Sequence, residues 1–187
     1  MPPLDAMRLY RLGRSVAERV PDAIAFGGAD LLGTAVARGN AKRRAVVRRN
    51  LARVVGEQGV ERYVDQAFRS YARYWFEALR LPKPGIDEIR RRTTVEGIEG
   101  MAKYLDNGQG VIFVSGHIGS YDVAGAWLAS YGWRVLAVAE EVEPPELFEW
   151  FTKLRADVGV DVVPAGKGST ARALLNGLKT GAAVGLV

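Results

Sequence analysis

The hydrophobic pattern changes its period near residues 81–85, where the sequence reads LPKPG. Over residues 59–81, apolar side chains recur every three or four positions, which predicts a long amphipathic helix. Shorter apolar repeats predict helices over residues 5–20, 22–38 and 41–55. Two prolines and a glycine then stop the helical pattern. The first part of the chain, residues 1–81, is therefore predicted to be helical.

Beyond the boundary, short valine-rich runs alternate with helix-like stretches. The runs predict strands over residues 111–115, 134–139, 160–163 and 182–187. The stretches predict helices over about 120–130, 145–158 and 169–180. Such alternation is typical of βαβ units with right-handed connections in a parallel sheet. The predicted fold class is thus α/β, with a helical N-terminal layer followed by a mostly parallel β-sheet with flanking helices over 86–187. We expect one domain over 1–187.

Composition narrows the chemistry that the chain can perform. Its 187 residues include one histidine and no cysteine, which excludes disulfides, thiol nucleophiles and cysteine-ligated zinc. A histidine-rich metal site is also disfavoured, so we expect no metal. The net charge of +5 favours anionic partners. The longest apolar stretch, residues 20–37, contains two aspartates and three glycines, which argues against a membrane span.

The basic run over residues 39–53 has two interpretations. It contains six lysines and arginines and no acidic residue. No nucleic-acid-binding motif accompanies it, so we expect no nucleic acid partner. Interspersed valines and leucines indicate a packed helix with a solvated basic face. The more specific possibility is attraction to an anionic membrane surface.

The most distinctive segment is GHIGSYD at 116–122, directly after the first predicted strand. His117 would lie at the carboxyl end of that strand, where sites form in open parallel sheets. Imidazole has an ordinary pKa near neutrality, and a carboxylate such as Asp122 can orient it. Gly119 would allow a tight turn, and Ser120 would cap the next helix. A loop histidine beside a helix-start aspartate is the competing interpretation.

The segment carries no activated nucleophile. The chain lacks the Gly-x-Ser-x-Gly pattern of a serine nucleophile. It also lacks a phosphate-binding loop, because residues 166–169 read GKGS without the required earlier glycine. The chemistry that best fits His117 is general-base removal of a proton from a bound hydroxyl.

At this point the sequence resembles a known family. His117 and Asp122 match the H-x4-D motif of lipid acyltransferases, with Ser120 and Tyr121 where that family often has asparagine and tryptophan. Further segments match the lipid A biosynthesis acyltransferase superfamily in order, and most resemble its actinobacterial phosphatidylinositol mannoside branch. These segments are 48–56, 69–82, 95–100, 138–140, 148–159, 162–164 and 184–187. The resemblance implies a glycerolipid-acyltransferase-like fold.

The resemblance also implies an activity and roles for individual residues. The implied reaction is transfer of an acyl chain from acyl-CoA, such as palmitoyl-CoA, to a mannose hydroxyl of a phosphatidylinositol mannoside. His117 would be the general base and Asp122 its partner. Glu140 and Arg155 would help to bind the substrate or acyl-CoA, together with Gly119 and Ser120. We expect no bound cofactor and a peripheral location on the cytoplasmic face of the cell membrane, with acyl-CoA, a glycolipid acceptor and an anionic membrane surface as partners.

Two alternatives and one expectation about length remain. The acceptor could instead be a lipid A precursor, or the chain could be a non-catalytic module that binds anionic lipid. The family continues beyond the last predicted strand into an acidic, arginine-containing segment that contributes to its site. We therefore expect the chain to be truncated at its C-terminus and its fold to be incomplete there.

Overall fold

The computed structural model describes residues 6–81, 84–166 and 168–186. It divides the chain into two compact units. The helical unit comprises residues 13–79, and the sheet unit comprises the residues up to Leu12 and those from Arg80 onward. The division falls next to the predicted boundary at 81–85. The predicted helix start at Asp5, the residues Pro82 and Lys83 of the boundary, Lys167 and the predicted strand end at Val187 lie outside the described residues.

The first four helices follow the hydrophobic pattern closely. They are α1 (Ala6–Arg19), α2 (Asp22–Gly39), α3 (Ala41–Val55) and α4 (Val60–Arg80). Asn40 begins α3 by accepting a hydrogen bond at its side-chain oxygen from the Arg43 backbone N–H, a typical N-cap. Gly56 and Gly59 separate α3 from α4 with positive φ angles, which glycine adopts without steric cost. Within the described ranges, no helix is both long and apolar enough to span a bilayer.

The core of the helical unit lies where α2, α3 and α4 meet. Ala37 of α2 packs with Val60, Val64 and Phe68 of α4, and partly buried apolar residues of α3 complete the cluster. The predicted apolar stripe of α4 is therefore confirmed over its first turns. Further along the same stripe Tyr71 is exposed.

The sheet unit contains four strands and five further helices within the described residues. The strands are β1 (Val111–Val114), β2 (Val135–Ala139), β3 (Val160–Pro164) and β4 (Ala183–Leu186). The helices are α5 (Gly85–Arg92), α6 (Glu99–Asp106), α7 (Tyr121–Ala129), α8 (Pro145–Ala156) and α9 (Thr170–Lys179). All strands pair in parallel, in the order β1-β4-β2-β3, which confirms the α/β class. Helices α5 and α6 were not predicted.

Side chains alternate between two helical layers on the two faces of this sheet. Val135 of β2 and Ala183 of β4 pack in one core cluster with Trp127 of α7. Leu136 and Val184, the next residues along those strands, belong to a second cluster that includes leucines of α9. The alternation is expected because successive strand side chains point to opposite faces. The parallel arrangement brings the carboxyl ends of β1 and β2 to the same edge of the sheet.

Candidate functional site

The loop after β1 presents His117 to solvent. The Ile118 backbone N–H donates to the Gly116 carbonyl oxygen at 2.7 Å, which closes a three-residue turn centred on His117. Gly119 follows with a φ of 70°, in the left-handed region that favours glycine. The side chain of His117 is exposed. The prediction that the histidine lies beyond the carboxyl end of β1 is confirmed.

The aromatic ring of Tyr121 lies beside the imidazole. The two ring centroids are 5.5 Å apart and the planes meet at 75°, an edge-to-face contact. Such contacts contribute about 0.5–1.5 kcal/mol. Among the described residues, none forms a hydrogen bond with His117. The ring is therefore held by a contact with the first residue of α7, and both ring nitrogens are open to a substrate.

Asp122 pairs with Arg155. The Arg155 Nε donates to Asp122 Oδ1 at 2.7 Å, and the two side chains are only 18% and 7% exposed. Asp122 lies in the first turn of α7 and Arg155 in the last turn of α8, so each charge also suits the dipole of its own helix. We predicted that Asp122 would reach back to the imidazole. The structure shows its carboxylate bonded to Arg155, and its role as the partner of His117 stays a prediction.

Ser120 occupies the N-cap position of α7, as predicted, but its side chain forms no capping hydrogen bond. Its Oγ is buried without a hydrogen-bond partner. Thr152 Oγ1 of α8, one turn before Arg155, is also buried without a hydrogen-bond partner. Buried hydroxyls without partners are uncommon, so both mark polar positions that the described residues leave unsatisfied. A role for Ser120 in substrate binding stays a prediction.

Glu140 directly follows β2 and is exposed. Ala137 of β2 and Phe113 of β1 both pair with Gly185 of β4. Glu140 and Gly116 each follow three residues later, so they come at the same position along the direction of the strands. Because β4 runs between the two strands, they are about 10 Å apart. Glu140 thus follows β2 at the same edge of the sheet at which His117 follows β1, and its binding role stays a prediction.

No group of three or more acidic and histidine side chains converges as a possible metal site within the described ranges. The chemistry available at the edge is that of one exposed imidazole, which can accept a proton from a bound hydroxyl.

Comparison with known proteins assigns the chain to a family. A family profile described as bacterial lipid A biosynthesis acyltransferase matches residues 10–187. The chain belongs to this family. The match covers both units and includes the turn that carries His117.

Two proteins that are similar in sequence to this chain are named phosphatidylinositol mannoside acyltransferase. The protein of Mycolicibacterium smegmatis is 32% identical over 158 residues, which cover 83% of this chain and 51% of that protein. The protein of Mycobacterium tuberculosis is 31% identical over 127 residues, covering 65% of this chain and 40% of that protein. The chain therefore spans about half of the length of one of these curated relatives and less than half of the other.

Two contacts of the chain were not predicted from its sequence. The spacing of four residues between His117 and Tyr121 could have indicated that their rings meet. The pairing of Asp122 with Arg155 joins residues 33 positions apart on two different helices. No local pattern shows it, although an acidic first turn and a basic last turn are each recognisable signals.

Proposed function

We propose that the protein is an O-acyltransferase that moves a fatty acyl chain from acyl-CoA to a mannose hydroxyl of a phosphatidylinositol mannoside. One observation carries the proposal: the only histidine of the chain is exposed in a tight turn at the carboxyl end of β1. The family match supports acyl transfer, and the names of the two relatives support the acceptor.

In this reaction His117 acts as general base. A ring nitrogen accepts the proton of the acceptor hydroxyl as that oxygen attacks the thioester carbonyl carbon. The tetrahedral intermediate then expels the CoA sulfur, which takes the proton from the imidazolium, and the ester is released. Glu140 lies on the same edge and is available to bind a sugar hydroxyl. Palmitoyl-CoA is the acyl donor that we propose to test.

Asp122 is proposed to act as a positioning residue. Its bond to Arg155 fixes the first turn of α7, and that turn carries Tyr121, whose ring contacts His117. The carboxylate would therefore orient the imidazole through the helix. We further propose a peripheral location on the cytoplasmic face of the membrane, because acyl-CoA is cytosolic and the acceptor is a lipid.

The deciding experiment is an acyl-transfer assay on the full-length gene product with palmitoyl-CoA and phosphatidylinositol mannoside. General-base catalysis contributes about 10²–10⁴-fold, so His117→Gln should lower the turnover by that factor. Tyr104→Phe, a change of similar size at an exposed position of α6, serves as the control and should retain activity. Circular dichroism should show that both variants are folded.

Undiminished transfer by His117→Gln would contradict the general-base role. Transfer by the wild-type protein to a lipid A precursor but not to any mannoside would support the alternative in which the acceptor is a lipid A precursor. Absence of transfer to either, with vesicle binding retained, would favour a non-catalytic lipid-binding protein.

A further inference from the structure

Helix α2 buries its small residues and exposes its large ones. Four residues on one face are buried: Ala25, Ala29, Gly33 and Ala37. Outside this face, Ile24, Leu31 and Leu32 are 64%, 75% and 61% exposed. Their spacing places Ile24 and Leu31 in one row, with Gly28 and Ala35, directly opposite Gly33. This is the reverse of the usual arrangement, in which the apolar stripe faces the core.

Close packing against α4 fixes which face of α2 points outward. A Cβ atom at Gly33 would lie 2.6 Å from the Phe68 carbonyl oxygen and 2.8 Å from the Arg69 Cα. Only glycine fits there, since both neighbours are backbone atoms. Rotating α2 to bury Leu31 would bring larger side chains to this contact. The outward position of the leucines is therefore a consequence of the fold.

Few charges interrupt the exposed face. Between Ile24 and Val36 the only charged residue is Asp30, whose carboxylate accepts two hydrogen bonds from Arg73 of α4. Arg38 continues the outward row at the C-terminal end of α2 and is exposed. Arg38 therefore places a positive charge at the end of the apolar row, where it can contact an anionic head group when the row lies at a membrane surface.

The charge of the whole chain is concentrated in the helical unit. Residues 13–79 contain twelve lysines and arginines against seven acidic residues, which gives +5, and the other residues contain fourteen of each. Arg44 and Arg48 of α3 pair with acidic residues of α4 and of the loop before it, so these two cations are already partnered. Lys42, Arg49 and Arg53 form no salt bridge within the described part of the chain and share one row of α3.

We propose that α2 docks on a bilayer of anionic phospholipid and lies in its plane, with Ile24, Leu31 and Leu32 among the acyl chains. Arg38 and the unpaired cations of α3 supply attraction to the head groups, each contributing about 1 kcal/mol near the surface. A second copy of the chain fits this face poorly, since two units of charge +5 repel each other. The choice of a lipid partner rests on the proposed function; the docking residues rest on the exposed face itself.

The absence of cysteine allows a site-specific test. Leu31→Cys and Leu175→Cys each create a unique thiol for an environment-sensitive fluorophore, and Leu175, on α9 of the sheet unit, is an exposed leucine that serves as matched control. With this 187-residue chain and vesicles of equal parts phosphatidylcholine and phosphatidylglycerol, emission from position 31 should shift to the blue. Emission from position 175 should not change.

A second measurement gives the energetic contribution of the face. The double variant Leu31→Asn, Leu32→Asn should bind the same vesicles at least about tenfold more weakly, since it removes two large apolar side chains from the docking face. Leu175→Asn should bind as wild type. Vesicles of phosphatidylcholine alone should bind the wild-type protein more weakly.

Three results would overturn the proposal. One is an unshifted label at position 31 in protein that floats with the vesicles. Another is an equal shift at positions 31 and 175. The third is a shift at position 31 that needs no vesicles and grows with protein concentration, which would indicate a second copy as the occupant. The assay contains no acyl donor, and His117→Gln should bind vesicles normally, so failure of acyl transfer and failure of docking are separate results.

Discussion

Helices α2 and α7 are the two most apolar helices among the described residues, yet the large side chains of one are exposed and those of the other are buried. Helix α7 buries Trp127 and Leu128 against the sheet, while α2 turns Leu31 and Leu32 to solvent. The difference lies in what covers them. The sheet and α5 pack around α7, whereas α2 packs against α3 and α4 through a face of alanines and a glycine. Apolar composition therefore predicts a helix but not which side of it is buried.

The comparison extends to an ion pair that each helix forms with a later helix. Asp122 of α7 bonds to Arg155 of α8 in a nearly buried pair. Asp30 of α2 bonds to Arg73 of α4 in a pair whose side chains are 27% and 47% exposed. The same chemistry should therefore contribute much more to stability in the sheet unit than in the helical unit.

The largest expected contrast comes from truncating one leucine in each helix. Leu128→Ala should lower the free energy of unfolding by about 2–5 kcal/mol, because it opens a cavity in a packed core. Leu31→Ala should change it by less than about 0.5 kcal/mol, because that side chain is already in water. Urea unfolding of both variants, followed by circular dichroism, measures the difference. Equal losses would mean that the face of α2 is covered in solution.

Long periodic segments were predictable from the sequence. Helices α1 to α4 and the four strands begin and end within about two residues of their predictions wherever the structure describes them. Helices α5 and α6 were missed because each has only eight residues, too few to establish a helical period. The exposed face of α2 was not predictable either, because it depends on the fit of Gly33 against the backbone of α4.

The candidate site was predictable in position but not in its contacts. The glycines around His117 and the end of the valine-rich run identified the turn after β1, and the structure confirms it. Local sequence suggested that Asp122 would meet the imidazole. The structure shows a bond to Arg155 that the local sequence did not predict, because the direction of a side chain in the first turn of α7 depends on the helix packed beside it. The role of Asp122 as the partner of His117 stays a prediction.

The next contrast removes the charge of each aspartate. Asp122→Asn should lower the free energy of unfolding by about 1.5–3 kcal/mol, because it replaces the charged acceptor of the Arg155 hydrogen bond with a neutral amide in a mostly buried position. Asp30→Asn should have a much smaller effect, since exposed ion pairs contribute little. Urea unfolding at neutral pH compares the two variants. An equal effect of both substitutions would contradict the role of burial.

The pH dependence of stability provides a second test of the ion pair between Asp30 and Arg73. Hydrogen bonding from Arg73 lowers the pKa of Asp30 below its ordinary value. The pair therefore stabilises the fold above the unfolded-state pKa, and this contribution is lost as pH falls through the folded-state pKa. The difference in stability between wild type and Asp30→Asn should be largest at neutral pH and vanish in acid. A difference that grows in acid would contradict this assignment of the pair.

The last contrast tests the close approach that turns α2 outward. Gly33→Ala should lower the free energy of unfolding by about 1–2 kcal/mol, because the added methyl group meets rigid backbone of α4 and outweighs a gain of about 1 kcal/mol in helix propensity. Gly125→Ala on α7 is the matched control. Its new Cβ would lie 3.1 Å from a methyl group of Val160, which can yield by a few tenths of an ångström, so the propensity gain should leave its stability nearly unchanged. Urea unfolding measures both variants. A stabilised Gly33→Ala would mean that α2 does not pack tightly against α4, and the outward face of its leucines would then no longer be fixed by the fold.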